Sequence, residues 1–479
     1  MNRRITHLIL TFLAIFATDR THAIQPPSRP NILVLLADDL GWRDLGCTGH
    51  EQHRTPNLDR LAQQGMQFTD AHAAAPICSA SRAALLTGKS PARLGYEFVP
   101  KFQSGRQQGP WPLITPDYPT ELPPALPTVA SLLRAHGYST AFAGKWHLNR
   151  HQDHYLGWRT GHGPESFGFD QSFDDFGAHP YSYGKILPHS IAGSAFPDDA
   201  LTGKAINFIQ QNHQKPFLLW LSFYHVHEPF HSRCTDRVAW HQARLPKDAK
   251  SARAHYAAMV ETLDHEVGRV LDALETSGHA KNTLVLFTSD NGGHPEVSAN
   301  GPLRGSKWNL YQGGLRVPLL VRWPGITPPA STCADTVIGT DLAATLIHAG
   351  GLKIHNTQDG ISLLPQLKQT LTHNQAQKRE FVWHFPFYQP ETAYHKASPK
   401  TGVNDFAISQ SQPQAAIRRG PWKLIHHFET NQDELYNLST DPAESKNLAA
   451  TASDLTSTLR NHLFNSLSLS KARLPQRKP

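Results

Sequence analysis

The sequence contains little that would indicate a disulfide-stabilised or nucleic-acid-binding protein. Only four of its 479 residues are cysteines, and their spacing matches none of the usual zinc patterns. It has no arginine-rich block and no internal repeat. The formal net charge of +7 favours a polyanionic partner without identifying one. A chain of this length predicts one large domain and a smaller one.

Long apolar runs are also scarce, and the clearest one lies at the N-terminus. Residues Leu8 to Ala17 follow the basic pair Arg3 and Arg4, and a small residue, Ala23, comes soon after. This layout predicts a secretory signal peptide over residues 1–23. The run is shorter than the ~20 residues that a membrane span needs. We therefore expect an exported protein, periplasmic or extracellular, with no stable membrane insertion after cleavage.

Shorter apolar runs predict buried strands, and several of them end in polar residues. The run Asn31–Ala37 is apolar enough to be buried on both faces, which is typical of a central parallel strand. The polar clusters that follow such strands are Asp38–Asp39, Lys145 with His147, His225 with His227, and Asp290–Asn291. Ligands bind at the carboxyl ends of strands in open α/β sheets, so one site assembled from distant segments is predicted.

The remaining pattern predicts a two-part α/β protein. The large domain, residues 24–365, is expected to have a central, mostly parallel sheet flanked by helices, with residues 251–277 as a core helix. Residues 366–479 are expected to form a smaller C-terminal α+β domain. Its short apolar runs near Trp383, Ile417 and Leu424 predict an antiparallel sheet, and residues 453–467 predict a final helix.

The segment from Pro76 to Gly88 is the first candidate for chemistry. Cys78 follows a proline turn at the predicted start of a helix, and Arg82 comes four residues later. A helix N-terminus favours an anion, and a guanidinium binds a tetrahedral oxyanion well. This combination suggests transfer of a phosphate-like or sulfate-like group. Taken alone, it is equally compatible with a buried structural cysteine.

Further motifs make the segment part of a recognisable pattern. The motifs are Cys78-Ser79-Ala80-Ser81-Arg82, Asp38-Asp39, Gly144-Lys145-Trp146-His147, His227-Glu228-Pro229, Asp290-Asn291-Gly292 and Lys307 before Gly313-Gly314. In order and spacing they resemble the type I, formylglycine-dependent sulfatases, which are arylsulfatase-like members of the alkaline phosphatase superfamily. The resemblance runs from about Pro30 to Leu448. It implies an alkaline-phosphatase-like fold and oxidation of Cys78 to formylglycine (3-oxoalanine) by a maturation enzyme.

The resemblance also assigns roles to individual residues. It implies that the formylglycine hydrate attacks sulfur, that Arg82 holds this residue, and that Lys145 and Lys307 bind sulfate oxygens. By the same analogy, His147 takes the proton of the second hydroxyl and His227 protonates the leaving group, with His225 the weaker candidate. The ligands expected for one calcium ion, which prefers hard oxygens, are Asp38, Asp39, Asp290 and Asn291.

One position departs from the family pattern. The maturation signal usually has proline two residues after the cysteine, whereas this chain has Ala80. We expect maturation at Cys78 nevertheless. If it fails, a sulfated-glycan-binding protein without catalysis is the alternative. A phosphatase or phosphodiesterase of the same superfamily is the rival enzyme, although Asn291 stands where a two-zinc enzyme usually has histidine.

The expected substrate is a sulfated carbohydrate, either an algal galactan or a glycosaminoglycan fragment. Residues 154–183 and 383–394 are rich in aromatic and polar side chains, and such loops suit sugars because aromatic faces stack on sugar rings. Ordinary packing of these aromatics inside the protein is the competing interpretation.

Overall fold

A computed structural model describes residues 29–479, apart from 102, 152–155, 159, 213, 248, 250, 355–357, 371–378 and 390–410. The signal peptide predicted for residues 1–23 lies outside the described residues, as do His154 and Tyr394 at the ends of the two aromatic segments. Among the helices described, none is both long and apolar enough to cross a membrane.

Strands and helices alternate along most of the chain. The strands are β1 Asn31–Ala37, β2 Met66–Phe68, β3 Ala71–His72, β4 Leu113–Ile114, β5 Ser139–Gly144, β6 Gln171–Phe173, β7 Phe217–Ser222, β8 Thr283–Ser289, β9 Leu319–Arg322, β10 Ser331–Cys333, β11 Val337–Ile338, β12 Glu380–Phe385, β13 Gln414–Arg419, β14 Trp422–His427, β15 Gln432–Asn437 and β16 Gln476–Arg477. The helices are α1 Pro56–Gln64, α2 Cys78–Thr87, α3 Pro91–Leu94, α4 Val129–Ala135, α5 Ala200–Gln211, α6 Thr235–Gln242, α7 Ser251–Thr276, α8 Gln312–Leu315, α9 Gly339–Ala349, α10 Leu364–Leu367 and α11 Ser453–Leu469.

The large domain is built on an eight-stranded sheet with the order β10-β2-β9-β8-β1-β7-β5-β6. Strand β9 runs antiparallel to both of its neighbours, β2 and β8, and the other pairs are parallel. The predicted α/β fold with a mostly parallel central sheet is therefore confirmed.

Strand β1 shows why this sheet is buried on both faces. Its alternate side chains enter two different apolar clusters, with Val34 on one face and Leu33 and Leu35 on the other. Helix α7 covers the second face, and Val260 and Val267 on this helix pack in the same cluster. The apolar spacing that predicted a core helix over residues 251–277 is thus confirmed.

The C-terminal part contains the predicted antiparallel sheet, with the order β12-β13-β14-β15. Helix α11 packs Leu459 and Leu463 against one face of this sheet. The other face contributes Trp383 and Phe385 to a cluster that contains Ala80 of helix α2. The small sheet therefore packs against the helix that begins at Cys78. The domain boundary at residues 365 and 366 stays a prediction.

Some local features differ from expectation. Strand β6 lies within the segment 151–191, which the polar composition predicts to be loop, and the pattern analysis did not find α5 or α9. Thr55, a residue type that favours the start of a helix, makes no capping hydrogen bond to α1, and its hydroxyl donates to Asp59 instead. All four cysteines have free thiols.

Candidate active site

The polar clusters that follow strands do meet at one edge of the sheet. Strands β8, β1, β7 and β5 are consecutive neighbours and mutually parallel, so their carboxyl ends lie side by side. Asp39 donates its main-chain N–H to Asp290 Oδ1 over 3.2 Å, and Asn291 Nδ2 donates to Asp39 Oδ1 over 2.8 Å. The prediction that distant segments form one site is therefore supported by direct contacts.

Helix α2 brings its first residue, Cys78, to this edge. Cys78 is 2% exposed, and its Sγ lies 3.6 Å from Asp38 Oδ1 and 3.7 Å from Asp39 Oδ1. Burial raises the pKa of the Cys78 thiol well above its ordinary value, although Lys145 and Lys307 oppose this shift. The unmodified thiol is therefore protonated at neutral pH, and a protonated thiol is a poor nucleophile.

Arg82, one turn further along α2, binds the same group of strand ends. Its Nε donates to Asp290 Oδ2 over 2.8 Å, and its Nη1 donates to the main-chain oxygen of Lys145 and to Ser222 Oγ. Its Nη2 lies 3.4 Å from Asp38 Oδ1. The arginine thus joins the ends of four strands, β8, β5, β7 and β1. Ser222 gave no signal in the sequence, because a serine at the end of a strand is common.

Two lysines complete the charge balance. Lys145 Nζ lies 2.5 Å from Asp38 Oδ2, and Lys307 Nζ lies 2.6 Å from Asp39 Oδ2. Burial alone would lower the pKa of Lys145, but Asp38 and Asp290 raise it, and the pKa of Lys307 is likewise raised by Asp39. Both lysines are therefore charged, and the three N–H donors of an ammonium allow each to bind a further oxygen.

The carboxylates are concentrated and fully buried. Asp38, Asp39, Asp290 and Asn291 are each 0% exposed. Burial raises the pKa of Asp290 to about 6 despite Arg82, with Asp38 adding to the rise. For Asp39, burial is outweighed by Lys307 and His227, which hold the pKa of that carboxyl well below its usual range. Buried carboxylates are costly unless cations pair with them, and Arg82, Lys145 and Lys307 do so here.

The donor set fits a hard cation. Asn291 Oδ1 is buried and has no hydrogen-bond partner within the described part of the chain, so this oxygen is available as a ligand. Ligand atoms of Asp38, Asp39, Cys78 and His227 lie within 4.8 Å of one another. Because the thiol of Cys78 is protonated, the groups that remain are the carboxylate and amide oxygens and one imidazole. A set in which oxygens predominate suits calcium better than zinc.

Both predicted catalytic histidines reach the site. His147 and His227 line the same cavity as Cys78 and Lys307. His227 Nε2 lies 3.3 Å from Lys307 Nζ and 3.6 Å from Asp39 Oδ2. Burial lowers the pKa of His227 to about 3, with Lys307 and Lys145 adding to the shift, and burial with Lys145 lowers the pKa of His147 well below its ordinary value. In the absence of a substrate, two neutral imidazoles therefore line the cavity next to Cys78.

The cavity over Cys78 has a volume of about 430 Å³. It is lined by Ile77, Cys78, Phe98, Val99, Pro100, Lys101, His147, His151, His227, Glu228, Lys307, Trp308 and Gln389. Three non-glycine residues of the site have left-handed backbone: Asp39 with a φ of 60°, His147 with 56° and Trp308 with 80°. Such residues cluster at functional sites because the surrounding structure stabilises the strained backbone.

Two sequence-based expectations need correction. Residues next to a strand are expected to continue its extended backbone, which would direct Lys145 and His147 to the same side, but β5 ends at Gly144 and His147 is left-handed. His225, the weaker of the two histidine candidates, is 2% exposed, and its ring packs against that of His179. Trp383, Phe385, Phe387 and Tyr388, which were candidates for sugar stacking, are at most 3% exposed and pack in the interior.

The chain matches two models of known protein families. A sulfatase family model matches residues 30–352, and the model of the N-sulphoglucosamine sulphohydrolase C-terminal region matches residues 306–470. The chain belongs to the sulfatase family. It is a sulfuric ester hydrolase with the α/β fold of the alkaline phosphatase superfamily.

Its relatives include sulfatases that differ in the substrates named for them. Mouse steryl-sulfatase is 32% identical, with 91% of this chain and 81% of the relative covered. Rat N-acetylgalactosamine-6-sulfatase is also 32% identical, over 76% of this chain and 70% of the relative. The structure of Ps i-CgsB in complex with k-i-k-neocarrahexaose superposes with a TM-score of 0.71 and 26% identity, over 92% of this chain and 93% of the other.

Proposed function

We propose that this sulfatase is exported and removes sulfate from a sulfated carbohydrate, with a formylglycine made from Cys78 and a bound calcium ion. The composition of the cavity wall is the observation that favours a carbohydrate. Seven of its thirteen lining residues are charged, histidine or amide residues, including Lys101, Glu228 and Gln389. Such a wall can exchange hydrogen bonds with sugar hydroxyls, whereas a sterol would offer few partners to these polar groups.

Calcium would be held by Asp38, Asp39, Asp290 and Asn291. When bound, it supplies Lewis-acid polarisation of an oxygen on the sulfate or on the nucleophile. The three carboxylates are already balanced by Arg82 and the two lysines. A divalent ion would therefore leave the site with a net positive charge, which favours a sulfate ester.

The side chains of this protein provide the rest of the machinery. Formylglycine at position 78 supplies a hydrate hydroxyl as nucleophile, which an unmodified Cys78 cannot do. Lys145 and Lys307 would bind sulfate oxygens and stabilise charge that develops during transfer. His147 is neutral, so its imidazole can accept a proton next to the nucleophile. His227 would take up a proton on Nε2 when the anionic ester binds beside it, and would deliver this proton to the leaving oxygen, a step that matters most for an alkoxide.

Maturation is tested by the mass of the tryptic peptide that contains residue 78. The protein is co-expressed with a formylglycine-generating enzyme, next to the Ala80→Pro variant that carries the usual signal. Proline is tolerated there because Ala80 lies in the first turn of α2, where no main-chain hydrogen bond is lost. We expect formylglycine or its hydrate in both proteins. An unmodified thiol in both, even with the proline, would contradict the assignment of the nucleophile.

Substrate class is tested by turnover with calcium present. The matured protein is offered sulfated galactan and glycosaminoglycan oligosaccharides, a steroid sulfate, 4-nitrophenyl sulfate and 4-nitrophenyl phosphate. We expect kcat/KM for at least one sugar sulfate to exceed that for the steroid sulfate by at least about 10-fold. Cys78→Ser should be inactive, and Cys234→Ser, which changes a thiol outside the site, should retain activity. Preference for the steroid sulfate or the phosphate ester would overturn the proposal.

A further inference from the structure

A tyrosine without a role in the mechanism above contacts the imidazole of His227. Tyr181 Oη lies 2.9 Å from His227 Nδ1, and the main-chain oxygen of Glu228 lies 2.7 Å from the same nitrogen. A carbonyl oxygen can only accept, so Nδ1 carries the hydrogen and donates it. The Tyr181 oxygen is then the second acceptor of that N–H, and Nε2 is the nitrogen that faces Lys307 and Asp39.

Tyr181 is itself held in position by the residue that begins its short 3-10 helix, Pro180–Tyr183. His179 Nδ1 accepts the main-chain N–H of Tyr181 over 3.2 Å, so the hydrogen of His179 is on Nε2. That nitrogen donates to the main-chain oxygen of His227 over 2.8 Å. The Tyr181 ring meets Tyr224 edge to face, with the centroids 5.9 Å apart. His179 and Tyr181 therefore hold both the backbone and the ring of His227.

We propose that Tyr181 is a positioning residue that keeps Nε2 of His227 directed at the leaving oxygen, and that it thereby determines how well a poor leaving group is expelled. This rests on the acid role proposed for His227. In that step the nucleophilic oxygen at position 78 bonds to sulfur as the ester S–O bond breaks. The electron pair of the broken bond stays on the leaving oxygen, and this oxygen takes the proton that Nε2 gained when the anionic ester bound. The imidazole becomes neutral and retains the Nδ1–H that Tyr181 and Glu228 share. Two acceptors on Nδ1–H fix the orientation of the ring, so that Nε2 faces the leaving oxygen.

The leaving group provides the kinetic test. Tyr181→Phe removes the oxygen and preserves the ring that packs on Tyr224. For a sugar sulfate, kcat should fall about 10-fold or more, whereas kcat for 4-nitrophenyl sulfate should stay within about twofold, because nitrophenolate leaves without a proton. KM should change little for either. Tyr183→Phe, in the same short helix, is the control, since the Tyr183 ring faces His231. An equal loss on both substrates would show a merely structural role and overturn the proposal.

A second measurement needs no activity. Protein carrying Cys78→Ser and ¹⁵N-labelled histidine is examined by NMR, and His227 is assigned from the signal that disappears in His227→Gln. The signal should be that of an Nδ1–H tautomer, and Tyr181→Phe should move its proton resonance upfield, because one of two acceptors is lost. If the protein hydrolyses no sulfate ester, the proposed function is wrong, but the NMR measurement still shows whether Tyr181 contacts His227 Nδ1. An unchanged resonance would overturn the role of Tyr181.

Discussion

Two regions of the molecule bury charge completely, and they do so in different ways. At the active site, three carboxylates and three cations meet at the strand ends. At the junction with the C-terminal sheet, one lysine meets one glutamate: Lys423 Nζ lies 2.7 Å from Glu444 Oε1, and both side chains are 0% exposed. The junction pair is fully satisfied, because Lys423 also donates to the Leu310 main-chain oxygen and Glu444 Oε2 accepts from Gln312 N–H.

The comparison shows how a binding site differs from a structural ion pair. Burial lowers the pKa of Lys423, and its single carboxylate does not reverse this, whereas the carboxylates around Lys145 raise its pKa. The site also leaves Asn291 Oδ1 without a hydrogen bond among the residues described. Several neighbouring carboxylates and an oxygen without a hydrogen bond indicate a cation-binding site. An ion pair whose hydrogen bonds are all satisfied indicates a structural contact between two parts of the fold.

Removing one carboxylate from the site should have the largest effect. Asp290→Asn takes away a proposed calcium ligand and the partner of Arg82, so we expect activity to fall about 10²- to 10³-fold or more and calcium affinity to fall with it. Sulfate release and calorimetric calcium titration measure the two effects. Asp272→Asn, which changes an acid 64% exposed, is the control. Calcium affinity equal to that of the unmodified sequence would contradict the ligand assignment.

Opening the junction pair should instead reduce stability. Lys423→Met leaves Glu444 buried without a cation, which costs about 3–5 kcal/mol of unfolding free energy. Adding Glu444→Gln should recover much of this loss, because the amide oxygen can still accept from Gln312. Urea unfolding of the two single variants and the double variant measures the coupling. A double variant as unstable as the sum of the singles would mean that the pair does not act as a unit.

The meeting of the strand-end residues at one edge of the sheet could be predicted from the sequence because the signals are local. An apolar run followed by Asp38–Asp39 already specifies a strand and what lies at its carboxyl end, and the same holds for Asp290–Asn291. Parallel pairing then brings these ends together without further information. Cys78 and Arg82 are likewise one helical turn apart, so their common direction follows from helix geometry.

The remaining features depend on contacts between distant residues. Nothing near Lys423 indicates that its partners are Glu444 and the backbone at Leu310. The left-handed backbone of His147 and Trp308 has no sequence signal, since glycine and asparagine are the residues expected there. Tyr181 lies in a polar segment with several aromatic residues, and the sequence does not show which of them contacts the site. The antiparallel insertion of β9 is decided by sheet packing and not by its four residues.

Another buried carboxylate, Glu266 on α7, lies outside both regions and pairs with an arginine. It is 0% exposed and pairs with Arg269 over 2.6 Å, yet burial and then Asp199 raise its pKa from 4.5 to about 7. Between these two values the folded protein retains a proton that the unfolded chain has lost, so the free energy of unfolding falls as pH rises through this window.

We therefore expect Glu266→Gln to have little effect on stability at pH 4 and to be stabilising at pH 8, by at most about 3 kcal/mol. Thermal unfolding across this range measures the difference. Glu275→Gln, an acid 57% exposed on the same helix, should shift stability little at either pH. Parallel stability curves for Glu266→Gln and the original sequence would show that Glu266 is ionised at pH 5.

The smallest expected effect comes from the loss of a neutral hydrogen bond. Its cost in unfolding free energy is the reference against which the cost of an unpaired buried charge is compared. Thr128 begins helix α4: its Oγ1 accepts from Ser131 N–H over 2.9 Å and donates to the Phe167 main-chain oxygen. Thr128→Val keeps the shape and leaves both partners unsatisfied, so we expect a loss of about 2 kcal/mol in unfolding free energy with activity unchanged. Thr128→Ser, which retains the hydroxyl, should lose about half as much or less. A loss at Thr128 equal to that of Lys423→Met would mean that charge adds nothing to the cost of leaving a buried partner unpaired.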